Sequence, residues 1–454
     1  MLFVLLILEI ALTLLSYILT GKNFSSPSVL SNLSFLFSTV LLCAYIPKWE
    51  LKISVETCIV IFSGNIMLLV GEILSQLILG KRAESRKNCP CRLNPENNDF
   101  VISVPKSITV CFLLFELLSI ALVYFYISRN TIITYDYTGQ ARTLLMSYRG
   151  QQDELHATWV TALLTAGKVL MYFYTFVVLY TLIYARKKFS GIEVATLMAA
   201  VCLCALSSAR IDIILLAGSV VVWIYGLIKR KYRNLTLATY KMIKYLFLVL
   251  LLMMFLFFAM GTLTGKTAST LSSLLDTIVV YAGGGTIGLD EYIKTFKGSE
   301  FFKSSETLYG LSSILTKFGM QPLCKYRNLE FFFMGNSQTC TGNTYTVYRR
   351  LLHDYGYIAT FLIRIAEGFV FGYLTNKIYQ TKKSRKYFER LFLYGTLTGV
   401  LVTEAVDTHF LMTLPTISEM IMLIILCGLY RFVTRIDIRF EYPAKIIIRK
   451  KLAL

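Results

Sequence analysis

Arg210 stands in the segment Leu206-Ser-Ser-Ala-Arg-Ile-Asp212, a gap of a few residues between two apolar runs. A guanidinium is always charged and presents a planar fork of donors, which suits phosphate oxygens, and the small neighbours let a bulky anion come close. Pairing with Asp212, or snorkelling to the membrane surface, would satisfy the same side chain. Two further cations lie inside apolar runs, where a charge is costly unless it meets a cavity or a counter-charge. Lys168 has no acid near it in sequence and reads as facing a cavity or a substrate. Arg364 has Glu367 one helical turn on, so this pair either neutralises itself or lines a site.

Two segments concentrate polar and aromatic groups. In Tyr281-Ala-Gly-Gly-Gly-Thr-Ile-Gly-Leu-Asp-Glu-Tyr292, Gly283, Gly284 and Gly285 let backbone approach a ligand or another segment closely. Asp290 and Glu291 resemble the first turn of a helix that starts after them. The second segment is Gly342-Asn-Thr-Tyr-Thr-Val-Tyr-Arg-Arg-Leu-Leu-His-Asp-Tyr-Gly-Tyr357, which carries Arg349, Arg350, His353 and Asp354 and runs into an apolar stretch. Tyrosines at a bilayer surface usually anchor the chain there, and a sugar-binding groove uses the same rings for stacking.

What must position these residues is a set of membrane helices. Hydrophobic residues make up 56% of the 454 and charged residues 16%, with mean hydropathy +0.61, outside the range of soluble domains. About eleven apolar spans are expected, at roughly 2–20, 28–46, 55–79, 107–127, 157–185, 191–208, 211–228, 245–264, 356–379, 391–405 and 415–434. The fold class is therefore all-α and polytopic, a single transmembrane domain over 1–454. One large external loop, 265–355, joins the eighth and ninth spans. The first span lacks a basic leader and a small-residue cleavage site, so it reads as a retained helix.

The net charge of +19 follows the odd-numbered spans, in clusters such as Lys81 to Arg92, Arg186 to Lys188, Lys229 to Arg233 and Lys382 to Arg390. The positive-inside rule puts those ends in the cytoplasm, with the N-terminus outside and the C-terminus inside. Nucleic acid is not an expected partner, because the basic residues are spread along the chain by topology. Cys324 and Cys340 share the external loop, where an oxidising compartment would permit a disulfide. Cys89 and Cys91, without a second pair, make a poor zinc site.

Taken in order, the arginine in a short turn, the YAGGG segment opening a large loop, and GNTYT…LLHDYGYIATFLI entering a late span resemble the Wzy-type oligosaccharide repeat-unit polymerases of O-antigen and capsule assembly. The span pattern extends that resemblance over nearly the whole chain, the motifs over about 205–220 and 278–365. An R-x10-G pattern described for some members is absent. The resemblance implies a GT-C-like glycosyltransferase in the bacterial inner membrane. It would transfer a growing glycan from undecaprenyl diphosphate to the next lipid-linked repeat unit, with a chain-length regulator as a partner. It also implies Arg210 as the group that stabilises the departing diphosphate. Arg142, Arg149, Arg349 and Arg350 would grip the second diphosphate or complete the clamp. Lys168, Tyr281, Gly283, Gly284 and Arg364 are further substrate-binding candidates. His353 or Asp354 would receive the acceptor's proton, with Glu404, Asp407 and His409 in reserve. No metal signature or nucleotide-binding loop occurs, so no cofactor is expected. A ligase of related architecture would use the same outer face. A flippase would instead show paired halves, and no internal repeat is visible.

Overall fold

The structure is a computed structural model that describes residues 1–80, 102, 104–133, 144, 147, 157–185, 190–207, 211–232, 238–248, 251, 255, 271–299, 305–320, 329–337, 340–381, 383–407, 411–412, 416–441 and 445–450. It is an all-α, multi-pass membrane architecture. The helices are α1 (Leu2–Leu19), α2 (Pro27–Trp49), α3 (Val55–Gly80), α4 (Lys106–Asn130), α5 (Thr158–Leu179, continued by a π-helical turn Tyr180–Ala185), α6 (Gly191–Ala205) and α7 (Ile211–Lys231). Then follow α8 (Leu271–Thr295), α9 (Tyr309–Lys317), α10 (Val347–Tyr379), α11 (Ser384–Thr398) with a 3-10 turn Gly399–Thr403, and α12 (Ile417–Arg435).

Eight described helices are long and apolar enough to cross a bilayer, namely α1 to α5, α7, α10 and α12. The count of eleven is thus corrected at three places. The 191–208 span is the 15-residue α6. The 245–264 span lies largely outside the described residues. The 391–405 span is the end of α11 plus its 3-10 turn, and α11 opens on the charged residues Arg385, Lys386, Glu389 and Arg390.

The expected external loop contains α8, α9 and a small antiparallel pair, β1 (Phe332–Phe333) with β2 (Thr341–Gly342). Here the reading of Asp290 and Glu291 as a helix start is corrected. They occupy the last turns of α8, which begins at Leu271, and the glycine run lies in its middle. Glycine inside a helix costs about 1 kcal/mol relative to alanine, and close packing offsets it. A Cβ on Gly285 would stand 2.0 Å from the Ala405 carbonyl oxygen, and one on Gly288 would stand 2.8 Å from that of Thr344.

The chain divides into two compact units. The first comprises residues 1–89, 268–380 and 397–420. Its central contact is α3 against α10. Gly71 and Gly368 let the two backbones touch, since a Cβ on either would come within 2.0 Å of the opposing carbonyl, of Ile365 or Leu68. Gly368 and Gly372 form a small-x-x-x-small seam of the kind that lets membrane helices approach closely. Serines on α2 face inward: Ser26 and Ser28 bond Glu72, Ser31 bonds Glu404, and Ser34 receives the Ala405 N–H.

The second unit comprises residues 90–267, 381–396 and 421–454. Its core is aromatic: Trp223 and Tyr430 stack on Phe392 at 5.7 and 5.6 Å, and the Trp223 indole donates to the Phe392 carbonyl at 3.1 Å. The strands β3 (Ile436–Glu441) and β4 (Lys445–Lys450) form an antiparallel hairpin.

Asp290 fastens α8 to the start of α3, accepting from the Ser54 N–H at 2.6 Å and the Thr57 hydroxyl at 2.7 Å. Burial alone would raise its pKa, but the Ser54, Lys294 and Thr57 donors hold it below the ordinary carboxylate value. Its contribution is therefore complete above the unfolded-state pKa and is lost as pH falls through the depressed folded value. Asp290→Asn is expected to lower the thermal midpoint at neutral pH and to flatten part of its acid-side decline, as followed by fluorescence-detected chromatography. In the same assay Gly285→Ala should destabilise by about 1–3 kcal/mol through overpacking. Gly428→Ala, where a Cβ meets nothing within 4 Å, should not.

Candidate functional site

Gly356 breaks the helix that carries most of the candidate chemistry. Its φ of 71° and ψ of −175° lie where only glycine enters freely, so α10 consists of a short leading segment, Val347–Tyr355, and a long apolar remainder. The Gly342–Tyr357 segment therefore does not run straight into the span. At the front of the leading segment the Tyr345 and Val347 N–H groups donate to the Val406 and Glu404 carbonyls at 3.0 and 2.8 Å. The 404–407 turn is thereby laid against the helix start.

Arg349, Arg350, His353 and Asp354 project from this segment and are all buried. Both arginines converge on Glu306: Arg349 ion-pairs with Oε2, and Arg350 Nη1 donates to the same oxygen at 3.1 Å. Arg350 turns its Nε toward Asp407 Oδ1 at 3.1 Å. The Arg349 guanidinium lies 4.6 Å from the centre of the Tyr292 ring and 5.5 Å from that of Tyr345, within cation–π range. Its Nε has no hydrogen-bond partner among the described residues.

His353 Nδ1 bonds Asp354 Oδ1 at 3.0 Å, and its Nε2 points toward Glu306 Oε1 at 3.7 Å. A carboxylate on Nδ1 fixes the ring and favours the tautomer whose Nε2 can accept a proton. Asp354 itself is committed elsewhere. It accepts from the Glu306 and Thr307 N–H groups at 2.9 and 2.7 Å, and from the Ser305 and Thr307 hydroxyls at 3.1 and 2.5 Å. With its lone pairs occupied it anchors the 305–307 segment, which corrects its candidacy as the proton acceptor and leaves His353 in that place.

Other sequence candidates fall elsewhere. Arg364 is fully buried and pairs with Glu367 and Glu404, each at 2.6 Å, so the self-neutralising alternative holds and is joined by a second acid. Lys168, expected to face a cavity or substrate, instead makes a 2.8 Å ion pair with Asp212 in the second unit. The acid was invisible to local reading because it lies on α7. Gly283 and Gly284 face Leu42 and Thr344, so YAGGG packs on GNTYT and the two quoted motifs meet. Tyr281 is half-buried on the same helix. Arg142, Arg149, Arg210, Cys324 and His409 lie outside the described residues. Glu306 is the principal residue missed: nothing in its local sequence separates it from Glu300 or Glu330.

Comparison of the chain with protein-family models, with curated proteins and with solved structures finds no match.

Replacing Asp354 by Asn puts an amide N–H₂ among donors. Hydrogen–deuterium exchange should show the 305–307 segment loosened by about 1–3 kcal/mol, with α10 still protected. Unchanged exchange at 305–307 would remove Asp354 from its anchoring role.

Proposed function

We propose that this chain is a metal-independent membrane glycosyltransferase that joins undecaprenyl-diphosphate-linked oligosaccharide repeat units, a polysaccharide polymerase of the Wzy type working at the outer face of the bacterial inner membrane. The observation that carries the reading is the convergence of Arg349, Arg350 and His353 around one carboxylate, on the very segment that supplies the family resemblance. In this reading the N-terminus is outside, the C-terminus is cytoplasmic, and a chain-length regulator is the expected partner.

The chemistry follows from the groups. An acceptor hydroxyl forms a bond to the anomeric carbon while the carbon–oxygen bond to the diphosphate breaks and the bonding pair leaves with the diphosphate. Charge grows on that leaving oxygen, and fixed guanidinium donors stabilise it most in the transition state. The hydroxyl's proton passes to His353 Nε2, the ring being held by Asp354. Glu306 already places a carboxylate between the two guanidiniums, so a diphosphate oxygen would enter by exchanging one anion for another. Arg210, with Arg142 and Arg149, is assigned to the second diphosphate. Tyr292 and Tyr345 supply ring faces beside the arginines.

Glycan laddering tests this. Deleting the gene should leave single-repeat lipid-linked products. Attached-chain loss with free long polymer would indicate a ligase instead. Arg350→Ala also removes a buried ion pair, a loss worth about 3–5 kcal/mol, so abundance must be matched. Arg350→Lys is the sharper variant and should shorten the ladder, because a point charge cannot reproduce the bidentate fork. His353→Asn and Arg210→Ala should abolish extension in protein that remains inserted. Normal ladders from both at equal expression would overturn the reading. A lipid-oligosaccharide flippase is the second reading, favoured by the ionised cluster of Arg364, Glu367 and Glu404 inside span-forming helices. It predicts accumulation of lipid-linked repeats on the cytoplasmic side.

A further inference from the structure

The Arg364 cluster has more acids than bases. Arg364 Nη1 donates to Glu367 Oε2 and Glu404 Oε1 at 2.6 Å each, and Nη2 donates to Glu404 Oε2 at 2.7 Å and to the Ser31 hydroxyl at 3.1 Å. Ser31 in turn donates to Glu404. Side-chain exposures of 0%, 4% and 3% for Arg364, Glu367 and Glu404 exclude hydration as the remedy for an extra charge. With both acids ionised the trio carries a net negative charge in a low-dielectric interior, a state that proteins avoid by retaining a proton. The carboxyls of Glu367 and Glu404 also hydrogen-bond to each other, which requires a proton on one of them.

No neighbouring element supplies a second cation. From α1 comes Glu9, bonded to Asn65 at 3.1 Å, and from α3 comes Glu72, held by Ser26 and Ser28. From α10 itself comes the Tyr348 ring, 5.5 Å from the guanidinium, with its hydroxyl on Asn65 at 2.7 Å. Ser31 is the contribution of α2. Every other titratable group facing the trio is an acid or a phenol, so ionising the second carboxyl would meet repulsion only.

Glu404 also begins the turn that supports the candidate site. Its carbonyl receives the Val347 N–H and that of Val406 receives the Tyr345 N–H, and the turn ends at Asp407, which grips Arg350. We propose that Glu367 and Glu404 share one exchangeable proton beside the Arg364 fork, and that occupancy of this proton site sets how firmly the Glu404–Asp407 turn is seated against the start of α10. Proton loss leaves two carboxylates competing for one guanidinium and pushes Glu404 outward, loosening its turn. The proposal does not rest on the glycosyl-transfer reading.

The test uses the purified full-length protein without substrate. Exchange of the Tyr345 and Val347 amides, corrected for the intrinsic pH dependence of exchange, should lose protection as pH rises. Glu367→Gln, whose amide mimics the protonated acid by donating to Glu404 and accepting from Arg364, should remove that pH dependence. Its infrared difference spectrum against wild type should show one protonated-carboxyl C=O band lost. pH-independent protection in the wild type overturns the proposal without any variant. A difference spectrum that loses only an ionised-carboxylate band overturns it as well. Neither readout involves glycan laddering, so failure here is distinguishable from failure of the polymerase reading.

Discussion

Two buried guanidiniums on one helix, Arg350 and Arg364, each draw a carboxylate from a single turn, and the first compact unit is built around that demand. Glu404 answers Arg364 within the apolar body and Asp407 answers Arg350 at the helix start. Taking an arginine out of water is tolerable only with such a counter-charge. The turn is therefore fixed from two directions, and its backbone carbonyls in turn fix the front of α10. The glycines of α8 belong to the same arrangement, since Gly285 touches the Ala405 carbonyl in the middle of that turn. One short stretch thus ties together the glycine helix, the serine face of α2 and both charged clusters.

A second set of contacts organises the other side of the candidate site. Asp354 gathers the 305–307 backbone, which brings Glu306 to the two arginines. The adjacent His353 receives its orientation from the same carboxylate. Asp354 therefore acts on two residues at once without needing to change protonation itself.

The sequence made the membrane class plain, because a long apolar run records the bilayer's thickness directly in residue number. It also pointed to Arg349, Arg350 and His353, since their spacing sets them along one helical segment. Counter-charges were another matter. Glu306, Asp407 and Glu404 lie 40 or more residues from the arginines they meet, and Asp212 meets Lys168 from a different helix. Such pairs are products of tertiary packing, which leaves no local period to read. Helix boundaries at the glycine run failed for a related reason: a triplet that looks like a loop is also what a helix needs where backbones touch. The GVFG-like spacing of small residues at Gly368 and Gly372 was present in the sequence and marks the α3 contact.

Gly356 separates the charged leading segment of α10 from the apolar rod behind it. Membrane helices adjust their tilt to the thickness of the hydrocarbon layer. In an unbroken helix such an adjustment would rotate every side chain along its length, including those at the charged end. A backbone joint at Gly356 absorbs that rotation, so the cluster's internal geometry is insulated from lipid composition while the rod remains free to lean.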